Sequence, residues 1–197
     1  MATIRPLARI PRAQSEKDAG HLPSKSLQAP WVPLMANGNT LILGLGNLLL
    51  SDDAVGVAVL GAMEADAATD PDLVLLDGGT LSFTLAGPIA DAARLIVVDA
   101  AAMGEAPGKV RVLESAAMDE QLTRHAKSVH EVSLADLIDI ARLTDSLPPK
   151  RALIGIEPQR VDWGTELTAP VAAAVPRAAN AVRALLQRWR SSSGEIP

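Results

Sequence analysis

The stretch Leu41–Val57, LILGLGNLLLSDDAVGV, constrains the fold more than any other part of the chain. An apolar run ends in Gly44-Leu45-Gly46-Asn47. A second short apolar run leads to two adjacent acids, Asp52 and Asp53, and then to Ala54-Val55-Gly56-Val57. That order reads as a buried strand, a tight glycine turn and an acidic tip that opens a helix. It sets carboxylates at the carboxyl end of a buried strand, the edge of an open α/β sheet where sites gather.

Downstream the pattern keeps alternating. Thr40–Leu45, Leu73–Leu76, Leu95–Val98, Val110–Leu113 and Ala152–Ile156 read as five strands. Between them, Ala54–Ala67 carries Val55, Val59, Leu60 and Met63 at helical spacing, residues 82–92 form a second helix, and Glu131–Leu143 places Leu134, Leu137, Ile138 and Ala141 on one face. The last helical stretch has a stripe of Val175, Ala178, Val182, Leu185, Leu186 and Trp189. Pro170 and Pro176 suit first turns better than interiors, which predicts two helical pieces there. Strands alternating with helices predict an α/β fold, a three-layer αβα sandwich around a mostly parallel, twisted five-stranded sheet.

Composition agrees with that class. Nearly half of the 197 residues are hydrophobic, yet Trp31, Phe83, Trp163 and Trp189 are the only aromatics, so the core is aliphatic, as a parallel sheet covered on both faces requires. The chain has no cysteine, which removes disulfides, thiol nucleophiles and thiolate ligands and fits a reducing cytoplasm. Residues 1–38 hold five bases against two acids, are rich in Pro, Ser, Arg and Lys, and show no periodicity. They read as a disordered or loosely docked extension to a domain over 39–190, with 191–197 a flexible tail and Met35 an alternative start. The remainder holds thirteen bases against twenty-one acids, an acidic body that argues against nucleic acid as a partner. No apolar run is long enough to span a bilayer, and no secretory segment follows the early arginines.

Three strands lead to acids at one sheet edge: the first to Asp52 and Asp53, the second to Asp77, the third to Asp99. Each also has a structural explanation. Ser51 or Asp52 is a natural helix cap, Asp53 in a first turn favours the helix dipole, and Asp77 before Gly78-Gly79 can simply form a turn. Asp99 directly follows Leu-Ile-Val-Val, and a carboxylate at the mouth of a buried strand must be hydrogen-bonded, metal-bound or open to a cleft. His21 lies in the extension and is discounted. His125 reads as a solvated loop residue, whereas His130 directly precedes the third helix at a site-forming loop. Five residues apart, the two do not share a helical face. The chain has no Gly-x-Ser-x-Gly elbow and no phosphate-binding Walker sequence, and its glycine loop lacks the third glycine of a dinucleotide fingerprint. Two carboxylates and an imidazole are left, an O,O,N set suited to a borderline divalent metal that could polarise a carbonyl or supply hydroxide.

GLGNLLLSDDAVGV, LLDGGT, LIVVDAA, VHEVSLADL and LIGIEP, in this order and spacing, resemble the [NiFe]-hydrogenase maturation endopeptidases over about residues 40–190. The resemblance implies a cytoplasmic protease of metal-dependent aspartate/histidine type. Its substrate would be the [NiFe]-hydrogenase large-subunit precursor, trimmed of a C-terminal extension after nickel insertion. It places the family's metal-contacting, catalytic positions on Asp53, Asp99 and His130, with Asp53 where many members carry Glu. It assigns substrate recognition to Asp77, Gly78, Gly79 and Thr80, and it implies nickel supplied by the precursor instead of held tightly by the protease. A non-catalytic, nickel-dependent chaperone for the same large subunit is the alternative, and a dinucleotide-dependent oxidoreductase the more distant one.

Overall fold

The structure, a computed structural model, describes residues 38–80, 82–125 and 133–192, and of residues 124 and 125 the backbone alone. The expected extension, Gly38 excepted, lies outside the described residues, as does the tail beyond Ser192. Five strands, β1 (Thr40–Leu45), β2 (Leu73–Gly79), β3 (Arg94–Ala100), β4 (Val110–Glu114) and β5 (Lys150–Ile156), form one sheet in the order β2-β1-β3-β5-β4. All pairings are parallel except β4 with β5. The expected mostly parallel sheet is therefore present, with a single antiparallel edge strand.

Helices cover both faces. On one lie α1 (Val55–Gly61), α2 (Glu64–Thr69), α6 (Ala169–Ala172) and α7 (Val175–Ser191). Their Val55, Val59, Leu60, Val182 and Leu186, with Met63 between α1 and α2, pack on Ile42, Ile96, Val98, Ile154 and Ile156 of the strands. On the other lie α3 (Ala86–Ala90), α4 (Ala116–His125) and α5 (Leu134–Leu143). Ile89, Met118, Leu134, Leu137 and Ile138 there meet Leu41, Leu43, Leu45, Leu95, Val97 and Leu153. Successive strand residues thus feed opposite cores, as the two-residue period of a strand dictates. Pro170 and Pro176 each fall in a helix first turn, so the C-terminal segment does break into two pieces.

The helix expected over Ala54–Ala67 is split into a 3-10 turn at Ser51–Ala54, then α1, then α2. Helix α4 had no counterpart in the expectation: its only buried apolar anchor is Met118, with Leu122 half-buried, too thin a stripe to show periodicity. His125, read as a loop residue, is the last residue of α4. The helix expected from Glu131 starts at Leu134, because Ser133 and Asp136 form a capping box. Among the described residues no helix is long and apolar enough to cross a membrane.

Candidate active site

The strand order reverses between β1 and β3: the chain leaves β1 toward β2 on one side, and β3 toward β5 and β4 on the other. The carboxyl ends at such a switch point bound an open crevice. Two of the expected site residues sit there, Asp53 just after β1 and Asp99 near the end of β3.

Glycines bring the pieces this close. A Cβ on Gly56, at the start of α1, would lie 2.2 Å from the Leu45 carbonyl oxygen and 2.4 Å from that of Val98, so α1 begins directly on the ends of both strands. Gly46 has φ +131°, and a Cβ there would fall 1.7 Å from the Asp53 carbonyl oxygen. The glycine turn therefore serves close packing of the acidic tip onto β1. Asp53 in turn closes the loop, its Oδ2 accepting the Asn47 N–H at 2.7 Å. Asn47 Oδ1 accepts the Leu49 N–H at 2.9 Å, which fixes the intervening residues.

Asp99 is in a different situation. It is partly exposed and lines a cavity of about 320 Å³ bounded by Ala100–Ala102, Gln121 and Leu122 of α4, and Ser133 and Leu134 at the start of α5. Burial drives its carboxyl up, the negative charge of Asp53 adds to the effect, and one opposing hydrogen bond from the Ala100 N–H is too weak to offset them, so its pKa is pushed up to about 7. The two carboxylates thus feel each other across the switch point. A single cation between them would relieve both the burial and the repulsion.

Asp52 is not a helix cap, and neither is Ser51: the residue preceding the 3-10 turn is Leu50, with no side-chain cap bond. Asp52 is fully buried, and its carboxylate receives four hydrogen bonds from the loop between β5 and α6. Oδ2 accepts from Gln159 N–H (2.9 Å), Arg160 N–H (3.0 Å) and the Thr168 hydroxyl (2.9 Å), and Oδ1 from Thr168 N–H (2.7 Å). Burial alone would raise this carboxyl, but the bonds from Thr168, Arg160 and Gln159 together hold it below the ordinary carboxylate range. Ser51, at φ +48°, donates its hydroxyl to the Asp162 carbonyl at 2.8 Å in the same loop.

Glu157 plays a similar part nearby. It is buried, and its Oε2 accepts the Met103 N–H at 2.6 Å and the Glu105 N–H at 3.2 Å, which pins the loop that follows Asp99. Sequence reasoning overlooked this role for both acids, because the donors, the Thr168 hydroxyl excepted, are backbone groups of distant loops.

Asp77 reaches the same edge but not the same face. In register, Gly44 pairs with Asp77 on one side and with Val98 on the other, so Asp77 shares the α1 face with Val98, while Asp99, one residue on, faces the α4–α5 layer. Asp77 borders a separate depression with Val57, Leu60, Gly61 and Glu64. Its Oδ1 accepts the Gly79 N–H at 2.8 Å, the local turn expected of Asp-Gly-Gly. Gly78 is pressed against Leu43 and Leu45, and Thr80 is exposed. His130 lies outside the described residues. Among the described residues no three His, Asp or Glu side chains group closely enough to hold a metal ion.

A doubly wound αβα sheet with paired acids at its switch point defines an α/β protein with an open carboxylate site. The chain belongs to the hydrogenase maturation protease family, whose model matches residues 57–185. It is 34% identical over 148 residues to the hydrogenase 2 maturation protease of Escherichia coli, covering 75% of this chain and 90% of that protein. To the hydrogenase expression/formation protein HoxM of Cupriavidus necator it is 32% identical over 148 residues, covering 75% of this chain and 73% of that protein. The solved structure of the hydrogenase maturating endopeptidase HybD from Escherichia coli superposes with a TM-score of 0.69 at 32% identity, covering 76% of this chain and 93% of that one. The chain is accordingly a peptidase with the fold of that family.

Proposed function

We propose that this chain is a cytoplasmic endopeptidase that removes the C-terminal extension of the [NiFe]-hydrogenase large-subunit precursor once nickel is in place. Asp53, Asp99 and His130 meet the nickel carried by that precursor. The observation that carries the reading is the raised carboxyl of Asp99, buried beside the negative charge of Asp53 at the switch point of the sheet and open to a cavity. A carboxyl held protonated near neutral pH by burial and a neighbouring anion gives up its proton readily to an arriving cation.

His130 supports the set by position in the chain: it stands three residues before Ser133, which lines the Asp99 cavity, and three residues of chain span at most about 11 Å. Two carboxylates and an imidazole, without thiolate, suit transient engagement of a borderline metal that arrives with its own ligands. The nickel belongs to the substrate, and seating it here brings the adjoining peptide carbonyl to the cavity, where a metal can polarise it. Asp77-Gly78-Gly79-Thr80, at the carboxyl end of β2, contacts the precursor backbone as a recognition segment.

The test is to mix the full-length protein with nickel-loaded and nickel-free precursor and to follow the mass of the large subunit. Loss of the extension from the nickel-loaded form alone is expected. Equal cleavage of both forms would refute nickel recognition, and binding without any mass change would favour a chaperone.

A further inference from the structure

The chain is poor in aromatics, yet of the three described ones only Trp189 is buried. Trp163 is 82% exposed, and Phe83, just beyond the carboxyl end of β2, is 63% exposed. Trp163 does not stand alone. Leu50 bridges to Gly164 in parallel fashion, the Gly164 N–H donates to the Leu49 carbonyl at 3.0 Å, and the Ser51 N–H donates to the Gly164 carbonyl at 2.8 Å. These bonds draw the Asn47–Leu50 loop against the Val161–Gly164 loop, so exposed Leu48, Leu49, Val161 and Trp163 are carried on two loops joined backbone to backbone.

Two further features point to a built surface. The Asp52 carboxylate and the Ser51 hydroxyl hold the second loop from beneath with the bonds described above, so the four apolar side chains are presented on fixed backbone and cannot easily fold back onto the core. The surface also has no net charge in an acidic molecule: residues 47–50 carry no charge, and Arg160 and Asp162 pair with each other at 3.1 Å. Exposed Trp flanked by aliphatic side chains on rigid backbone is the usual make-up of a binding hot spot.

We propose that Leu48, Leu49, Val161 and Trp163 form a docking surface for an apolar, uncharged stretch of the precursor polypeptide beside the bond to be cut. The inference rests on the endopeptidase reading and deepens it. The surface is continuous with the candidate site, since the loop that carries Leu48 and Leu49 is closed by the Asn47 N–H on Asp53. A polypeptide lying on it would reach the loop that Asp53 closes. Binding energy collected here, away from the reacting atoms, serves to position the scissile bond.

The experiment compares the full-length chain with Trp163→Ser and with Leu48→Ser/Leu49→Ser, using nickel-loaded precursor in steady-state cleavage and fluorescently labelled precursor in direct binding. Leu143→Ser is the control, an 85% exposed apolar residue at the far end of α5. Each docking variant is expected to raise KM and Kd tenfold or more while kcat changes less than threefold, and the control is expected to move none of them. KM and Kd within twofold of the unmodified chain in both variants would overturn the proposal and leave the endopeptidase reading standing. Precursor bound through these side chains but never shortened would uphold the docking surface and sink the endopeptidase reading. Sedimentation velocity covers the remaining occupant: self-association that the variants abolish, with KM unmoved, would assign the surface to a second copy of the chain and overturn the proposal.

Discussion

Asp52 and Asp99 sit at the same edge of one sheet, and their surroundings drive them in opposite directions. Asp52 is fully buried and saturated by four donors, so it stays ionised and ties the loop after β5 to the start of α1. Among the described residues, Asp99 has one backbone N–H donor, a neighbouring negative charge and a cavity, so it holds its proton to about pH 7. Burial acts on both; what differs is whether the chain supplies donors. A carboxylate fully satisfied by its own chain is structural, while one left short of donors next to an open cavity is available for chemistry.

The largest expected effect lies on the Asp99 side. Asp99→Ala should lower cleavage of the nickel-loaded precursor by on the order of 10³-fold, a loss typical of removing one electrostatic partner of the reacting centre. Its thermal unfolding should remain at or above that of the unmodified chain, since the substitution removes a poorly solvated acid. Cleavage retained by this variant would take Asp99 out of the reaction.

Asp52→Ala should do the converse. It strands three backbone N–H groups and a hydroxyl in a buried place, a loss on the order of 4 kcal/mol. For a chain of this size that lowers the melting midpoint by roughly 8–16 °C in calorimetry. A shift under about 2 °C would mean that water or a rearranged loop replaces the carboxylate and that the contrast between the two acids is overstated.

A smaller, pH-dependent effect sharpens the same contrast. The folded-state pKa of Asp99 is raised above its unfolded value of about 3.9, so the native state binds this proton more tightly. Its contribution to stability is then fully present below about pH 4 and is lost as the pH rises through about 7. Asp99→Asn has no such proton. Urea unfolding of the metal-free proteins should show the variant gaining on the unmodified chain between pH 5 and pH 8, by roughly 2–3 kcal/mol. Parallel stability curves across that range would contradict the assignment.

Much of this was legible in the sequence, for reasons that are local. Thr40–Leu45 matches β1 residue for residue, because an unbroken aliphatic run closed by Gly-x-Gly leaves little choice of boundaries. Asp99 was singled out because it follows four consecutive aliphatic residues, and the strand indeed carries it to the mouth of the crevice. The role of Asp52 could not be read, since its three partners lie 107 to 116 residues away and all three donate through backbone that carries no side-chain signal, with the Thr168 hydroxyl in addition. Nor could the separation of Asp77 from Asp99, which depends on the register between β1 and its two neighbours: one residue of offset turns a side chain to the other face. The split of the first helix has the same kind of cause, for the 3-10 turn exists to set Ser51 and Asp52 against a loop far along the chain.

The most direct test of this account is a carboxyl carbon NMR titration of the full-length, metal-free protein with Asp52 and Asp99 resolved. The account predicts that Asp99 titrates with a midpoint of about 7 while Asp52 remains ionised to below the ordinary carboxylate range, and that Asp53→Asn lowers the Asp99 midpoint. An Asp99 midpoint near 4, unmoved by Asp53→Asn, would contradict it.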